Sequence, residues 1–307
     1  MIRIGTRGSK LALWQAARVK ADLAAAFPHS TTGIVVIKTR GDIILDVPLS
    51  RVGDKGLFTK EIETALLRGE IDLAVHSLKD LPTELPEGLA IGGMLPRGEV
   101  RDVLISATGR KLAEMTAKDR IATSSLRRKA QLLHFNPGLT VVDIRGNIDT
   151  RIQKMKDGHC DALIMAGAGI IRLGYQELIT EFLDPSVILP AVSQGAVAIE
   201  IREDDEKTMQ VIHAITDEDT WLTTMAERAF LRTLEGGCQV PAGCYTDRQG
   251  ETMKITGMIA EPDGRTLIRK SVDCLPEEAS EKAIELAQTM LDNGGSEILA
   301  QIYMNND

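Results

Sequence analysis

A single thiol carries the strongest chemical signal in this sequence. Cys238 sits in Leu234-Glu235-Gly236-Gly237-Cys238-Gln239-Val240-Pro241-Ala242-Gly243, with two glycines before it and a Pro-Ala-Gly turn after it. Glycine removes side-chain bulk and admits positive φ, so such a loop can bend and let a group approach the sulfur. The pattern fits a cysteine that carries a covalent group. A nucleophilic cysteine would need a base, usually histidine, and none is near Cys238 in sequence. Cys160 and Cys274 fall in core or strand contexts and are expected to be inert. Cys244 could pair with Cys238 only in an oxidising compartment.

Anion-binding residues form a second group. In Thr123-Ser124-Ser125-Leu126-Arg127-Arg128-Lys129, hydroxyls and backbone N–H groups lie between a strand end and a helix start. A helix N-terminus attracts anions, and guanidinium grips carboxylate in a bidentate way. Cations in a first helical turn oppose the macrodipole, so they need another reason to be there, and a bound anion supplies one. Arg145, in Asp143-Ile144-Arg145-Gly146-Asn147, lies where open α/β sheets bind ligands, and Arg151 follows one helical turn after Asn147. Arg7 holds the same kind of place after the first strand. Each alone reads as a surface arginine; several at strand ends are harder to dismiss.

The acidic counterpart is Asp80, in Ala74-Val75-His76-Ser77-Leu78-Lys79-Asp80-Leu81-Pro82. Its carboxylate would suit N–H donors on a substrate, or a cation developing in a transition state. Lys79 beside it could hold a substrate carboxylate. The plainer readings are an Asp in an Asp-Leu-Pro turn and, for His76, a satisfied histidine at a strand end.

Composition sets the frame for these residues. The chain has 307 residues, 43% apolar and 26% charged, as in a soluble globular protein of two or three domains. Aromatics are only 3%, which argues against a stacking surface for single-stranded nucleic acid. No apolar run reaches the ~18 residues of a membrane span. The sequence enters a strand at Ile2 with no leader pattern, so the cytosol is the expected compartment. The histidines show no ligand spacing, and no metal site is expected. Net charge is −8, yet residues 101–175 hold 13 Lys+Arg against 7 Asp+Glu, leaving −14 for the rest. A basic segment in an acidic chain fits either a concave anion site or a basic surface face.

Periodicity predicts the elements that must position the site. Strands are expected at 2–5, 34–38, 72–76 and 89–94, with a helix from Ser9 to Pro28 and another over 59–68. Residues 39–56 hold three Asp, three Gly and one Pro and read as a long loop. Strand–helix alternation resumes with strands at 103–106, 120–123, 140–144 and 162–165 and helices at 125–135, 147–156 and 168–173. A strand at 196–201 and a helix over 219–234 follow. The tail has strands at 253–259 and 266–272, joined by Pro262-Asp263-Gly264, then a helix ending at Asn293-Gly294-Gly295. The fold class is α/β with mostly parallel sheets, plus a C-terminal α+β part with an antiparallel sheet.

Taken together, these segments resemble the porphobilinogen deaminase (hydroxymethylbilane synthase) family. The match runs through Ile4-Gly5-Thr6-Arg7, Leu11-Ala12-Leu13-Trp14-Gln15-Ala16, Thr39-Arg40-Gly41-Asp42, Lys55-Gly56-Leu57-Phe58, the Asp80 segment, Thr123 to Arg128, Arg145-Gly146-Asn147, Thr150-Arg151, Leu189-Pro190-Ala191-Val192, Gln194-Gly195-Ala196 and the cysteine loop. The resemblance implies two periplasmic-binding-protein-like α/β domains, residues 1–95 with a returning segment at 196–213 and residues 101–189. It also implies a cysteine-bearing third domain over 218–307. It further implies a dipyrromethane cofactor on Cys238 through a thioether, porphobilinogen as substrate, an azafulvene formed by loss of ammonia, and four additions before hydrolysis releases hydroxymethylbilane. In that scheme Asp80 is catalytic. Arg7, Lys79, Arg127, Arg128, Arg145, Arg151 and Arg172 bind carboxylates, with Ser9, Ser77, Thr123, Ser125 and Gly146 in support. Lys55 and Phe58 belong to a lid over 42–58. A cytoplasmic monomer without nucleic-acid or membrane partners is implied as well. Two positions depart from the family pattern: Cys244, where a small non-thiol is frequent, and Ser193, where glycine is frequent.

Two other classes compete. A two-lobed α/β protein with clustered arginines could be a small-dicarboxylate binding protein of the periplasmic type, which would be expected to carry a signal peptide. A cysteine-dependent acyltransferase would leave Asp80 and the arginines unexplained.

Overall fold

The computed structural model describes residues 1–43, 58–234 and 240–304. Its elements in chain order are β1 (Ile2–Thr6), α1 (Lys10–Ala26), β2 (Thr32–Val36), α2 (Arg40–Ile43), α3 (Lys60–Leu67), β3 (Leu73–Ser77), β4 (Leu89–Met94), β5 (Asp102–Ser106), β6 (Arg120–Ala122), α4 (Leu126–Phe135), β7 (Thr140–Val142), α5 (Ile148–Lys156), β8 (Ala162–Ala166), α6 (Gly167–Arg172), β9 (Glu181–Phe182), β10 (Val197–Arg202), α7 (Glu206–His213), α8 (Glu218–Thr233), β11 (Ala242–Gln249), β12 (Thr252–Ala260), β13 (Leu267–Cys274), α9 (Ala279–Met290) and α10 (Ser296–Met304). They form two compact units, Met1–Gly98 with Gly195–Trp221, and Glu99–Gln194 with Leu222–Asp307.

The first unit is built on a five-stranded sheet in the order β2-β1-β3-β10-β4. β1 runs parallel to β2 and β3, whereas β10 is antiparallel to β3 and β4. Ala198, Ile199, Glu200 and Ile201 of β10 are all fully buried, as in a strand covered on both faces. Leu73, Val75, Val197, Ile199 and Ile201 pack with Val19 and Leu23 of α1 and Ile212 of α7. Ala74, on the other face, packs under Ile62 and Leu66 of α3. Ser9 starts α1 as its N-cap, with Oγ accepting the Ala12 N–H at 3.3 Å.

The second unit holds two sheets. One repeats the pattern of the first unit, in the order β7-β6-β8-β5-β9, with β6 parallel to β7 and β8, and β5 antiparallel to β8 and β9. The other is the antiparallel meander β11-β12-β13, packed with α8, α9 and α10 around Phe230. A Cβ at Gly257 of β12 would lie 2.4 Å from the Phe230 ring, so glycine lets that ring sit against the strand. β11 and α10 were not predicted. The tail helix breaks at Gly294 (φ 101), and a new helix follows.

Glu227 of α8 ties the meander to the preceding segment. This carboxylate is fully buried; one oxygen accepts the Ser193 N–H at 2.6 Å and the other the Thr246 N–H at 2.9 Å. Ser193 is the one non-glycine residue at positive φ (62°) among the described residues, and its buried hydroxyl has no hydrogen-bond partner. The Cβ strain and the unpaired hydroxyl both vanish in Ser193→Gly, which outweighs the added chain entropy of glycine. This variant is expected to be more stable by about 1 kcal/mol, read as a higher urea midpoint at unchanged slope.

Candidate functional site

Five residues marked by the sequence, Arg7, Ser9, Phe58, Ser77 and Asp80, line one pocket of the first unit. Arg7 and Ser9 come from the β1–α1 turn, Ser77 ends β3, and Asp80 ends the 3₁₀ turn Leu78–Asp80. The pocket encloses about 70 Å³ and is open in part to solvent. The Arg7 guanidinium lies over the Phe58 ring, 4.3 Å from its centroid. That stacking holds the cation flat against the ring. Gln15 of α1 donates its side-chain N–H to Ser77 Oγ at 2.8 Å and fixes that hydroxyl. The Asp80 side chain is exposed at the pocket mouth. Lys79 shares its turn but does not line the pocket. Gln15 and His76, also lining residues, were not predicted as part of a site.

The second unit gathers the other arginines at the sheet end where α4 and α5 begin. Ser125 caps α4, its Oγ accepting the Arg128 N–H at 3.4 Å, and Thr123 Oγ1 accepts the Ser125 N–H at 3.2 Å. Arg127 and Arg128 are buried against a carboxylate that sequence reasoning missed. Asp102 is fully buried at the head of β5. Its Oδ2 accepts from Arg127 Nη2 at 2.8 Å, and its Oδ1 from Arg128 Nη2 at 2.7 Å and Gln194 Nε2 at 2.9 Å. Arg127 also donates to the Leu189 carbonyl, and Arg128 to the Ile164 carbonyl at 3.2 Å. Burial alone would push the Asp102 carboxyl up; the two guanidiniums outweigh it and hold it well below the usual carboxylate range. The protein's own carboxylate thus meets the first-turn cations of α4.

One negative charge does not neutralise two arginines, and two more stand close by. Gly146, at φ 114, gives the turn into α5, and a Cβ there would lie 2.6 Å from Thr150. Its carbonyl accepts from Arg151 Nε at 2.8 Å. Burial, then the charges of Arg128 and Arg145, press the Arg151 guanidinium down to about 10. Arg128 Nε is buried with no hydrogen-bond partner. Arg128, Arg145 and Arg151 therefore make a positive cluster with a spare donor, which is what a polycarboxylate group needs. A dipyrromethane with acetate and propionate arms fits this donor set. Arg172 closes α6. Lys55 and Cys238 lie outside the described residues.

The remaining thiols are poor nucleophiles. Cys160, Cys244 and Cys274 are buried, and burial pushes the Cys160 thiol up to about 11. Among the described residues no helix is long and apolar enough to cross a membrane.

Comparison with known proteins agrees with this chemistry. Residues 2–210 match the family profile described as "Porphobilinogen deaminase, dipyromethane cofactor binding domain", and residues 221–292 match "Porphobilinogen deaminase, C-terminal domain". The chain is 50% identical over 300 residues to the porphobilinogen deaminase of Syntrophomonas wolfei, covering 98% of each. It is 48% identical over 302 residues to that of Chlorobaculum tepidum, covering 97% of each. Among solved structures it is similar to a TRAP periplasmic solute binding protein from Desulfovibrio salexigens, with TM-score 0.45, 12% identity, and coverage of 71% of this chain and 73% of that one. The two family profiles span most of the sequence, and the relatives match nearly end to end. The chain belongs to the porphobilinogen deaminase family.

Proposed function

We propose that Asp80 is the charge-stabilising carboxylate of this enzyme, that Cys238 is its cofactor anchor, and that the arginines of both units hold substrate and cofactor carboxylates. The activity is that of the family, a transferase that joins four porphobilinogen molecules with loss of ammonia and releases hydroxymethylbilane, the linear tetrapyrrole of heme biosynthesis. Dipyrromethane is the cofactor, and when bound it supplies the carbon on which the chain grows.

The side chains do the rest. Asp80 accepts the pyrrole N–H of the substrate and faces the positive charge that develops as ammonia leaves. A carboxylate already fixed beside the reacting carbon stabilises that charge without reorganising as it forms. Arg7, held over Phe58, and Ser9 take one substrate carboxylate, with Ser77 and Lys79 beside them. Each charge-assisted bond contributes about 1.5–3 kcal/mol net, so several are needed to hold a polyanion. Arg128, Arg145 and Arg151, with Arg127 and Arg172, take the acidic arms of the dipyrromethane, supported by Thr123, Ser125 and Gly146. Lys55 and Phe58 belong to a lid over the pocket. The observation that carries this reading is the convergence of the Asp80 carboxylate and the Arg7 guanidinium on one pocket.

The mass of the purified chain tests it. The expected protein is heavier than its sequence by one dipyrrole, with the excess mapping to Cys238. An unmodified chain that still turns over porphobilinogen would overturn the anchor.

Three separate sheets and cores support a three-domain division at 1–95 with 196–213, 101–189 and 218–307. Family membership supports a cytoplasmic monomer without nucleic-acid partners, for which sizing by light scattering is the check.

A further inference from the structure

Three ionisable side chains lie buried behind the Asp80 pocket without a task so far. β3 and β10 are antiparallel neighbours, with Ala198 opposite His76 and Glu200 opposite Ala74. Strand alternation therefore puts His76 and Glu200 on one face, diagonal to each other. His76 Nε2 lies 3.1 Å from Glu200 Oε2. Glu63 comes from the first turns of α3, the helix that covers this face. Relative exposures are 6% for His76, 0% for Glu200 and 6% for Glu63, so water does not balance their charges. The cluster is also short of hydrogen bonds: Glu200 Oε1 and Glu63 Oε1 are buried with no partner.

A single imidazolium cannot balance two buried ionised carboxylates, and the low-charge solution leaves one carboxyl protonated. Burial pushes the Glu63 carboxyl up and the charge of Glu200 adds to the push, and together they outweigh the opposing pull of the Thr59 hydroxyl and of His76. Glu61 of α3 pushes in the same direction and is itself 3.7 Å from Arg40. On the other side His76 lines the pocket shared with Arg7 and Asp80. The cluster thus opens on the pocket through one ring.

We propose that His76, Glu200 and Glu63 form a proton-holding cluster in the wall of the Asp80 pocket, with one of its two carboxyls kept protonated, and that it serves the proton traffic of each addition. The inference rests on the reading of that pocket as the reaction site. Each addition breaks the aminomethyl C–N bond, whose electron pair leaves with ammonia. A C–C bond forms from ring π electrons, and a ring C–H bond breaks, its pair restoring the aromatic ring. The released proton ends on ammonia, so an aminomethyl ammonium enters and ammonium leaves. Ammonia departs before the ring proton is released, so a buried group that already holds a proton can give it to the departing ammonia and recover one when the ring C–H bond breaks. Glu200 fixes the ring of His76, and Glu63 stores the proton.

Infrared spectroscopy of the loaded enzyme at neutral pH is the direct test. The wild type is expected to show a buried carboxylic-acid C=O band that shifts in D₂O and is absent in Glu63→Gln. Glu200→Gln, the second variant, is expected to shift or remove the same band. A carboxyl raised in the folded state makes the native protein lose stability as pH climbs from the unfolded value, about 4.3, through the folded one. Glu63→Gln should therefore gain in denaturant midpoint on the wild type across that rise. His76→Gln is expected to lower kcat on the order of 10²-fold with KM unchanged and to displace the kcat–pH profile. A wild type with no acid band, a band that persists in Glu63→Gln, or a His76→Gln pH profile that overlays the wild type overturns the cluster. None of these outcomes touches the dipyrrole mass on Cys238, so failure here is separable from failure of the proposed function.

Discussion

Asp80→Asn is expected to turn over porphobilinogen about 10²–10³-fold more slowly than the wild type while folding normally. Asparagine keeps the shape and the acceptor oxygen of the side chain, so the substrate pyrrole can still bind. The negative charge is lost, and with it the attraction for the cation that forms as ammonia departs. The loss should fall on kcat with KM nearly unchanged, because the charge matters most in the transition state. Stability should move by no more than about 0.5 kcal/mol, since Asp80 is exposed at the end of its turn. Steady-state kinetics with a thermal melt on the same preparation separate the two effects. Turnover within a few-fold of wild type removes Asp80 from its assigned role.

The largest stability loss is expected at Asp102. Asp102→Ala leaves two buried guanidiniums facing each other without their shared carboxylate, and breaking a buried pair in this way costs about 3–5 kcal/mol. The urea midpoint is the measurement, and a change under 1 kcal/mol would show that the arginines re-pair elsewhere. The pH dependence has a defined sign. Asp102 is depressed in the folded state, so its contribution is complete above the unfolded carboxylate value, about 3.9, and is lost as pH falls from there toward the folded one. Wild type should lose this contribution below about pH 4, and the variant has none to lose. The same variant should load its primer poorly, because Asp102 aims both arginines of α4.

The α/β alternation was legible because central strands covered on both faces read as apolar runs, as in Leu73-Ala74-Val75 and Val197-Ala198-Ile199. The insertion of β10 between β3 and β4 was not legible from periodicity, since apolar pattern says that a strand is buried and not which neighbours it has; the returning segment came from family resemblance alone. β11 was missed because Ala-Gly-Cys-Tyr-Thr-Asp-Arg-Gln is poor in β-branched residues and follows a glycine loop. α10 was missed because Gly294-Gly295 looked like a terminus.

At the site, strand-end residues such as Arg7 and Asp80 were found because ligand sites in open sheets lie there. Their partners were harder. Asp102, Glu200 and Glu227 are lone acids within or beside apolar stretches, and sequence does not say what meets them. The signal was present all the same: a carboxylate in a strand as apolar as Val-Ala-Ile-Glu-Ile is buried, and a buried carboxylate requires a cation or a proton.

The place of β10 has a consequence for how the chain is made. β3 and β4 have no direct pairing with each other; each pairs with a strand that begins at Val197, more than a hundred residues after β4. Ribosomes deliver the chain from its N-terminus at ~5–20 residues per second. The sheet of residues 102–182 is therefore fully synthesised while the N-terminal sheet still lacks its fourth strand. Vectorial synthesis reverses the usual order, and the half that carries Asp80 matures after the half that carries most of the arginines. Until then the inner edges of β3 and β4 are bare templates for wrong pairing, which makes the nascent N-terminal segment the part of this protein most in need of a chaperone.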